Sequence, residues 1–329
     1  MALFAACLQS AAAQTVIEVA LPTAPDHLRN RVLESWVRNV ASQSSNRITI
    51  QLRHGATRYE GSGIVNAVAE GAFDMAVPGW WHISRIVPEF RVSALPMFYG
   101  QSRETVVGIF DGALGQELDG LLEQTINVKV LGRRIELGAG HLYVSTRKVV
   151  TQQDIDGLNI RVPGGSSDLA RYLAFGAIPR RVALTELKGA LRNGLVDGLL
   201  TTHSYVQEAA LLDAGVKFAF LDRELFYQYT PIINRARWES FSADERALLA
   251  ETWERAVDGM RRAAIDAQAG VMAALVQQGI EYVEPSPESL KAARDKLMLE
   301  QPALVTSLGM RQGFVDRVST ALPGVSLQK

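Results

Sequence analysis

Charge, turn formers and a helix start converge at one place in the chain, Asp154–Gly198, which reads DIDGLNIRVPGGSSDLARYLAFGAIPRRVALTELKGALRNGLVDG. Arg161 closes an apolar, strand-like run. Pro163, Gly164 and Gly165 follow at once, and Ser166, Ser167 and Asp168 open a helical pattern. A guanidinium at a strand end, facing the N-terminus of the next helix, suits an anionic small molecule, because fixed N–H donors and a positive helix end converge there. Gly164 and Gly165 either let backbone approach a ligand or make the turn. Other chemistries leave no trace. The five histidines, His27, His54, His82, His141 and His203, form no HxxxH-type pair, and a metal site is not expected. There is no G-x-S-x-G, P-loop or G-x-G-x-x-G, and Gly61-Ser62-Gly63 is a turn. No cofactor is expected.

Alternating strands and helices must position Arg161. Val16–Leu21 and Arg47–Arg53 have strand patterns, the second with Ile48, Ile50 and Leu52 on one face. Asp26 is the expected cap of a helix with Leu28, Val32, Leu33, Trp36, Val37 and Val40 on one side. A short helix is expected at Ser62–Glu70, a strand at Phe73–Val77, a single helix at Arg103–Gln124 and a strand at Val128–Leu137. This order is α/β. From Ala243 to about Ile280 helix formers run without proline, started by a Ser242/Glu245 capping box. One helix of roughly 50 Å follows at about 1.5 Å per residue, long enough to brace two lobes. Gly259 and Gly270 are its candidate bends, and Pro287–Met298 starts a last helical region.

An internal repeat supplies the second half of a site. Ala67–Pro78 reads AVAEGAFDMAVP and Ala190–Thr201 reads ALRNGLVDGLLT. Each is a helix end, a glycine suited to the C′ position, an Asp and a strand. Six residues after Asp74 stands Trp80, and six after Asp197 stands His203. Ligands in open α/β sheets sit at the carboxyl ends of strands. The repeat thus aims Trp80, Trp81 and His82 toward the same cleft as Thr201 and His203. Aromatic faces there suit an apolar or aromatic ligand body.

The chain of 329 residues has room for two domains. Hydrophobic residues make up 47%, which argues against disorder. With 34 basic and 35 acidic residues and no long charge run, charge gives no argument for nucleic acid or an anionic membrane. Cys7 is the single cysteine, inside the apolar stretch ALFAACL, with Ala11–Ala13 after it. Residues 1–14 are expected to be an incomplete secretory signal peptide without its basic start, and the mature chain to contain no cysteine. No apolar run is long enough for a transmembrane helix.

Asp154–Gly198 resembles the extracytoplasmic solute-binding proteins of TRAP transporters. The matching pieces are DIDGLNIRVPG, FGAIP at Phe175–Pro179 and GLVDG at Gly194–Gly198, with GAFDMAV at Gly71–Val77, VPEF at Val87–Phe90, LPMFY at Leu95–Tyr99 and the run from Asn234 to Trp238. The resemblance implies a two-lobed α/β receptor whose lobes close on an organic acid, with Arg161 holding the carboxylate. It implies lobe I at 15–138 and 227–266, lobe II at 139–226 and 267–329, a periplasmic location, and membrane subunits of a transporter as partners. The pattern is altered at several places. His141 is the nearest polar candidate where a second arginine often stands, in GAGHLYVST. Thr201 replaces an asparagine, and the usual acidic-aromatic helix start is Thr185-Glu186-Leu187-Lys188. Leu184 falls where the family covers its ligand. Arg181, Tyr227 and Tyr229 are further candidates. A monocarboxylate with an apolar or aromatic body fits this set. The alternative is an exported hydrolase or isomerase using His203 with Asp197 or Glu186. A sensor receptor that signals to a membrane kinase would have the same sequence features.

Overall fold

Both copies of the internal repeat fold the same way. The computed structural model describes residues 14–55, 59, 61–162 and 166–323, with side chains of 166–168 undescribed. Residues 1–13 of the expected signal peptide, and Gly164 and Gly165, lie outside the described residues. In the first copy the helix Gly63–Ala69 ends in a Schellman turn: Ala72 N–H donates to Ala67 O (2.8 Å) and Gly71 N–H to Val68 O (3.1 Å). In the second, Leu195 N–H donates to Ala190 O (2.9 Å) and Gly194 N–H to Leu191 O (3.2 Å). Gly71 (φ 79°) and Gly194 (φ 69°) occupy the left-handed region that this turn demands. Each Asp then ties down a neighbouring strand. Asp74 Oδ2 accepts the Glu18 N–H at 2.8 Å, and Asp197 Oδ2 accepts the Asn159 N–H at 2.7 Å.

The two copies belong to different sheets. The strands are β1 (Thr15–Leu21), β2 (Ile48–His54), β3 (Met75–Ala76), β4 (Val128–Val130), β5 (Ile135–Val144), β6 (Asn159–Val162), β7 (Ile178–Arg181), β8 (Gly198–Thr201), β9 (Phe218–Tyr229), β10 (Ile232–Asn234) and β11 (Glu281–Val283). One sheet has the order β2-β1-β3-β10-β4, the other β11-β9-β5-β8-β6-β7. Parallel pairing joins β1 to β2 and β3, and β6 to β7 and β8. The protein is thus a two-lobed α/β structure. The antiparallel pair β5/β9, running from Ile135↔Tyr229 to Val144↔Phe218, passes between the lobes. At their first-lobe ends β5 follows β4 and β9 leads into β10.

The helix Ala243–Gln277 is continuous through Gly259 and Gly270 and starts at the Ser242/Glu245 capping box. Its Trp253, Val257 and Met260 pack with Ile17, Leu33, Trp36 and Ile233 of the first lobe. Leu275 joins Tyr143, Leu199 and Ala219 of the second. Apolar burial on both lobes, at about 25 cal/mol per Å², is what holds so long a helix down.

Several local expectations change. The helix Leu28–Gln43 is capped by His27, not Asp26. The helix expected over 103–124 breaks at Gly112 into Arg103–Asp111 and Ala113–Thr125. Buried Arg134 stabilises the break: its guanidinium donates to Phe110 O (2.9 Å), a last-turn carbonyl that loses its helical partner there, and to Gly115 O (2.7 Å) in the first turn of the next helix. The strand expected over 128–137 is two strands, because the chain changes sheets between Val130 and Ile135. The expected boundaries put 267–329 in the second lobe. The helices Gln301–Ser307 and Gln312–Ala321 instead bury Leu304, Val305, Phe314, Val315 and Val318 in the first lobe's core, with Phe90, Phe98 and Phe110.

The repeat turns yield a paired stability prediction. Asp197→Ala leaves the buried-edge N–H of Asn159 without its acceptor and is expected to cost about 1–3 kcal/mol in urea unfolding, as is Asp74→Ala for Glu18. Wild-type stability in both variants would show that the carboxylates do not hold the strands.

Candidate functional site

The strand ends of both sheets meet at a cavity of about 390 Å³. The first lobe contributes His27, Leu28, Trp81, His82 and Arg91 to its wall, and the crossing strands contribute Leu137, Leu225, Tyr227 and Tyr229. From the second lobe come Arg161, Val162, Tyr172, Leu184, Leu199, Leu200, Thr201, Thr202, Ser204, Tyr205 and Glu208, and from the long helix Gln268. A larger hollow of about 810 Å³, bounded by Gln152, Asp156, Phe175 and Lys296, lies on the outer face of the second lobe. It holds none of the strand-end residues, so the smaller cavity is the candidate site.

Arg161 is the penultimate residue of β6, and parallel pairing with β7 and β8 fixes its backbone. Its Nε–H donates to Val182 O at 3.1 Å, which sets the plane of the guanidinium. The Tyr205 phenol is pushed up by burial, while Arg161 draws it down and Glu208 raises it further, so Tyr205 lies within electrostatic reach of both. Glu208 lines the cavity, and burial pushes its carboxyl up to about 7 against the Leu28 N–H and Arg31. Among the described lining residues, Arg91 and Arg161 bring the positive charge.

The adjacent tryptophans part company. Trp80 turns into the first lobe's core, 3% exposed. Its indole N–H donates to Thr230 Oγ1 at 2.9 Å, and its ring meets Phe90 and Phe110 edge-on. Trp81 faces the cavity and stands edge-on to Tyr227 (5.5 Å) and Tyr229 (5.2 Å). Its ring folds back over Gly79, where a Cβ would come within 2.3 Å. Arg29 lies over the far face of the group, 5.6 Å from the Tyr229 centroid. Such aromatic pairs add about 0.5–1.5 kcal/mol each and give a rigid wall.

Of the expected site residues, the cavity therefore gathers Arg161, Trp81, His82, Leu184, Thr201 and Tyr227. It does not gather Trp80, His141, His203 or Arg181. His141 stands opposite Thr201 in the β5/β8 register, but its ring is buried and Nδ1 accepts the Arg223 N–H at 3.3 Å. It stacks on His203, centroids 5.1 Å apart, and His203 Nδ1 bonds the Tyr143 hydroxyl. Burial pushes His203 down to about 4, and His141 further below its ordinary value with help from His203 and Arg223. Arg181 is exposed on the edge strand β7. The acid/base pair weighed for an enzyme does not form: His203 bonds Tyr143, while Asp197 accepts from Asn159. No metal-holding cluster of His, Cys, Asp or Glu occurs among the described residues, and no helix there is long and apolar enough to cross a membrane.

Arg91, His27, Tyr172, Tyr205, Glu208 and Gln268 were not singled out in the sequence. Arg91 directly follows VPEF, a run already marked, which was the one available signal. The others are brought in by helices whose facing depends on the other lobe.

Residues 20–300 match the family described as bacterial extracellular solute-binding protein, family 7. The chain belongs to that family. A solute-binding protein of Chromohalobacter salexigens is 23% identical over 286 residues, 85% of this chain and 84% of its own length. A TRAP periplasmic solute-binding protein from Ochrobactrum anthropi superposes with a TM-score of 0.86 at 23% identity, covering 94% of this chain and 95% of that one. One from Ralstonia eutropha, with (S)-2-acetolactate bound, gives 0.82 at 21% identity, covering 93% and 98%. For this family member, the two lobes and the cavity at their strand ends are the expected receptor geometry.

His27 generates a pH prediction. Its Nδ1 accepts the Arg29 N–H at 3.2 Å as the helix cap, which requires a neutral imidazole. Burial, Arg29 and Arg31 hold it down to about 3 from 6.5. The depressed value means that its stabilising contribution is present above pH 6.5 and is lost as pH falls toward 3. His27→Asn keeps a cap without titrating. In urea unfolding at descending pH, wild type is expected to lose stability faster than His27→Asn below pH 6.5. Parallel curves would overturn the role.

Proposed function

We propose that this chain is the periplasmic receptor of a TRAP-type transporter, and that it binds an organic monocarboxylate with an apolar or aromatic body by closing its lobes around Arg161. The observation that carries this reading is the company Arg161 keeps. Its guanidinium enters a cavity whose wall includes Leu28, Leu137, Leu184, Leu199, Leu200 and Leu225 and the Trp81, Tyr227 and Tyr229 rings, beside a smaller polar set. A carboxylate matches a guanidinium with two parallel hydrogen bonds, and closure strengthens them by excluding water. Arg91 offers a second guanidinium from the opposite lobe, in place of the arginine that GAGHLYVST lacks. His82 remains neutral, pushed down to about 4 by burial and by Arg29 and Arg85, so it contributes hydrogen bonds rather than charge. Thr201 is placed to meet a ligand oxygen.

Solved relatives support the carboxylate: proteins from Sulfitobacter and Sulfurospirillum hold β-D-galacturonate and succinate respectively. Leucines at 199, 200 and 184 favour a less polar ligand here. On this reading the protein is exported by the segment 1–14, stays outside the bilayer and hands its ligand to the transporter's membrane subunits without chemical change.

A thermal-shift panel of phenylacetate, 4-hydroxybenzoate, hexanoate, succinate and D-glucuronate tests the assignment, since stabilisation follows affinity. The first three are expected to raise Tm most. Arg161→Ala is expected to weaken the best of them by about 2–3 kcal/mol, roughly 30- to 150-fold in Kd. A larger shift with succinate or glucuronate would overturn the apolar body. An undiminished response in Arg161→Ala would overturn the clamp.

A further inference from the structure

Gln268 is a polar residue, 7% exposed, on an otherwise apolar stretch of the long helix, and it borders the cavity. Both ends of its amide are used, by two different elements. Oε1 accepts the Ser204 backbone N–H at 2.9 Å, and Nε2 donates to Leu137 O at 2.8 Å. Ser204 lies in the first turn of the helix His203–Glu208, where N–H groups have no partner within the helix. The Thr202 hydroxyl takes the Tyr205 N–H at 3.2 Å, and Gln268 takes Ser204's, so the cap is completed from another part of the chain. Leu137 stands where β5 loses register with β9, between Glu136 and Ala139, and the strand turns through Gly138 at φ 109°. A Cβ on Gly138 would stand 3.2 Å from Gln268 Cγ, so the bulge lies directly against this side chain.

We propose that Gln268 is a positioning residue for ligand binding: its amide clamps the cavity-facing segment Thr201–Ser204 to the β5 bulge, and so sets where the second lobe presents its polar wall. Thr201, Thr202, Tyr205 and Glu208 all ride on that segment or its helix, so their positions depend on one buried amide. The inference rests on the proposed function only where it predicts affinity; the clamp itself is a property of the ligand-free protein.

Gln268→Met keeps the volume and removes both hydrogen bonds; Gln268→Glu keeps the acceptor for Ser204 but turns a second acceptor on Leu137 O. Hydrogen exchange is measured without ligand, and phenylacetate Kd by calorimetry. The Met variant is expected to exchange about tenfold faster at both 203–208 and 137–142, with the rest of the chain unchanged, and to bind phenylacetate about tenfold more weakly. The Glu variant is expected to keep protection at 203–208 and lose it at 137–142. Unchanged exchange at both segments in the Met variant overturns the clamp. Faster exchange with wild-type affinity overturns the positioning role and leaves a plain helix cap. If Met does not fold, the Glu variant decides: protection lost uniformly, or not at all, overturns the proposal. Should wild type bind none of the panel, the function reading fails, and the exchange pattern alone judges the clamp.

Discussion

The relation between the two lobes depends on a row of side-chain hydrogen bonds from the long helix to the chain segment that crosses between them. Trp253 Nε1 donates to Arg133 O, Arg261 Nε to Arg134 O and Gln268 Nε2 to Leu137 O, each at 2.8 Å. The carbonyls lie where the chain leaves β4 and enters β5, and near the bulge, so no continuous sheet ladder is available to satisfy them. A buried carbonyl without a partner costs about 1–3 kcal/mol. Three donors on one helix remove that cost and fix the crossing segment to a rod. Arg261 anchors the rod further, gripping both Asp111 oxygens at 2.7 Å. The first lobe is thereby fastened along the helix, and only the last donor of the row, Gln268, also touches the second.

The repeat explains why a cavity arises at that junction. Each copy ends a helix, reverses through a left-handed glycine, spends an Asp on a neighbouring strand and delivers a short strand whose end opens into a new helix. Trp80 and His203 each begin that helix, and both turn inward. The residues that face the cavity are their neighbours, Trp81 and His82 in one lobe and Thr201, Thr202 and Ser204 in the other. One residue of phase at a helix start decides between core and ligand wall. Trp80 satisfies its indole N–H on Thr230 and packs edge-on with Phe90 and Phe110, which leaves the half-buried Trp81 to face the cavity.

What the sequence disclosed follows the range of the interaction responsible. The Ser242/Glu245 box, the Gly71 and Gly194 turns and the short strand that carries Arg161 next to its end follow local patterns, and each is where its pattern puts it. The α/β order and two-lobed architecture followed from these. The break at Gly112 depends on Arg134, many residues later, taking the carbonyls of Phe110 and Gly115. His27, not Asp26, stands at the cap position, and burial keeps its imidazole neutral so that Nδ1 can accept the Arg29 N–H. His141 looked like a replacement ligand group by position, but the buried His141–His203–Tyr143 cluster satisfies it instead. None of these outcomes is encoded in local spacing.

The distribution of charge around the cavity has the same logic. Burial keeps the imidazoles of His27 and His82 neutral, and Arg29, packed behind Tyr229, reinforces this without reaching the lining. Positive charge at the wall is thus concentrated in guanidinium groups, which remain ionised at any pH the protein meets. Glu208 opposes them, but its carboxyl is raised toward neutrality by the same burial. The net field inside therefore favours an anion, with Arg161 of the second lobe and Arg91 of the first as the cations of the wall. Burial thus shapes the wall twice over, silencing the imidazoles and weakening the one carboxylate while leaving the guanidinium charge intact.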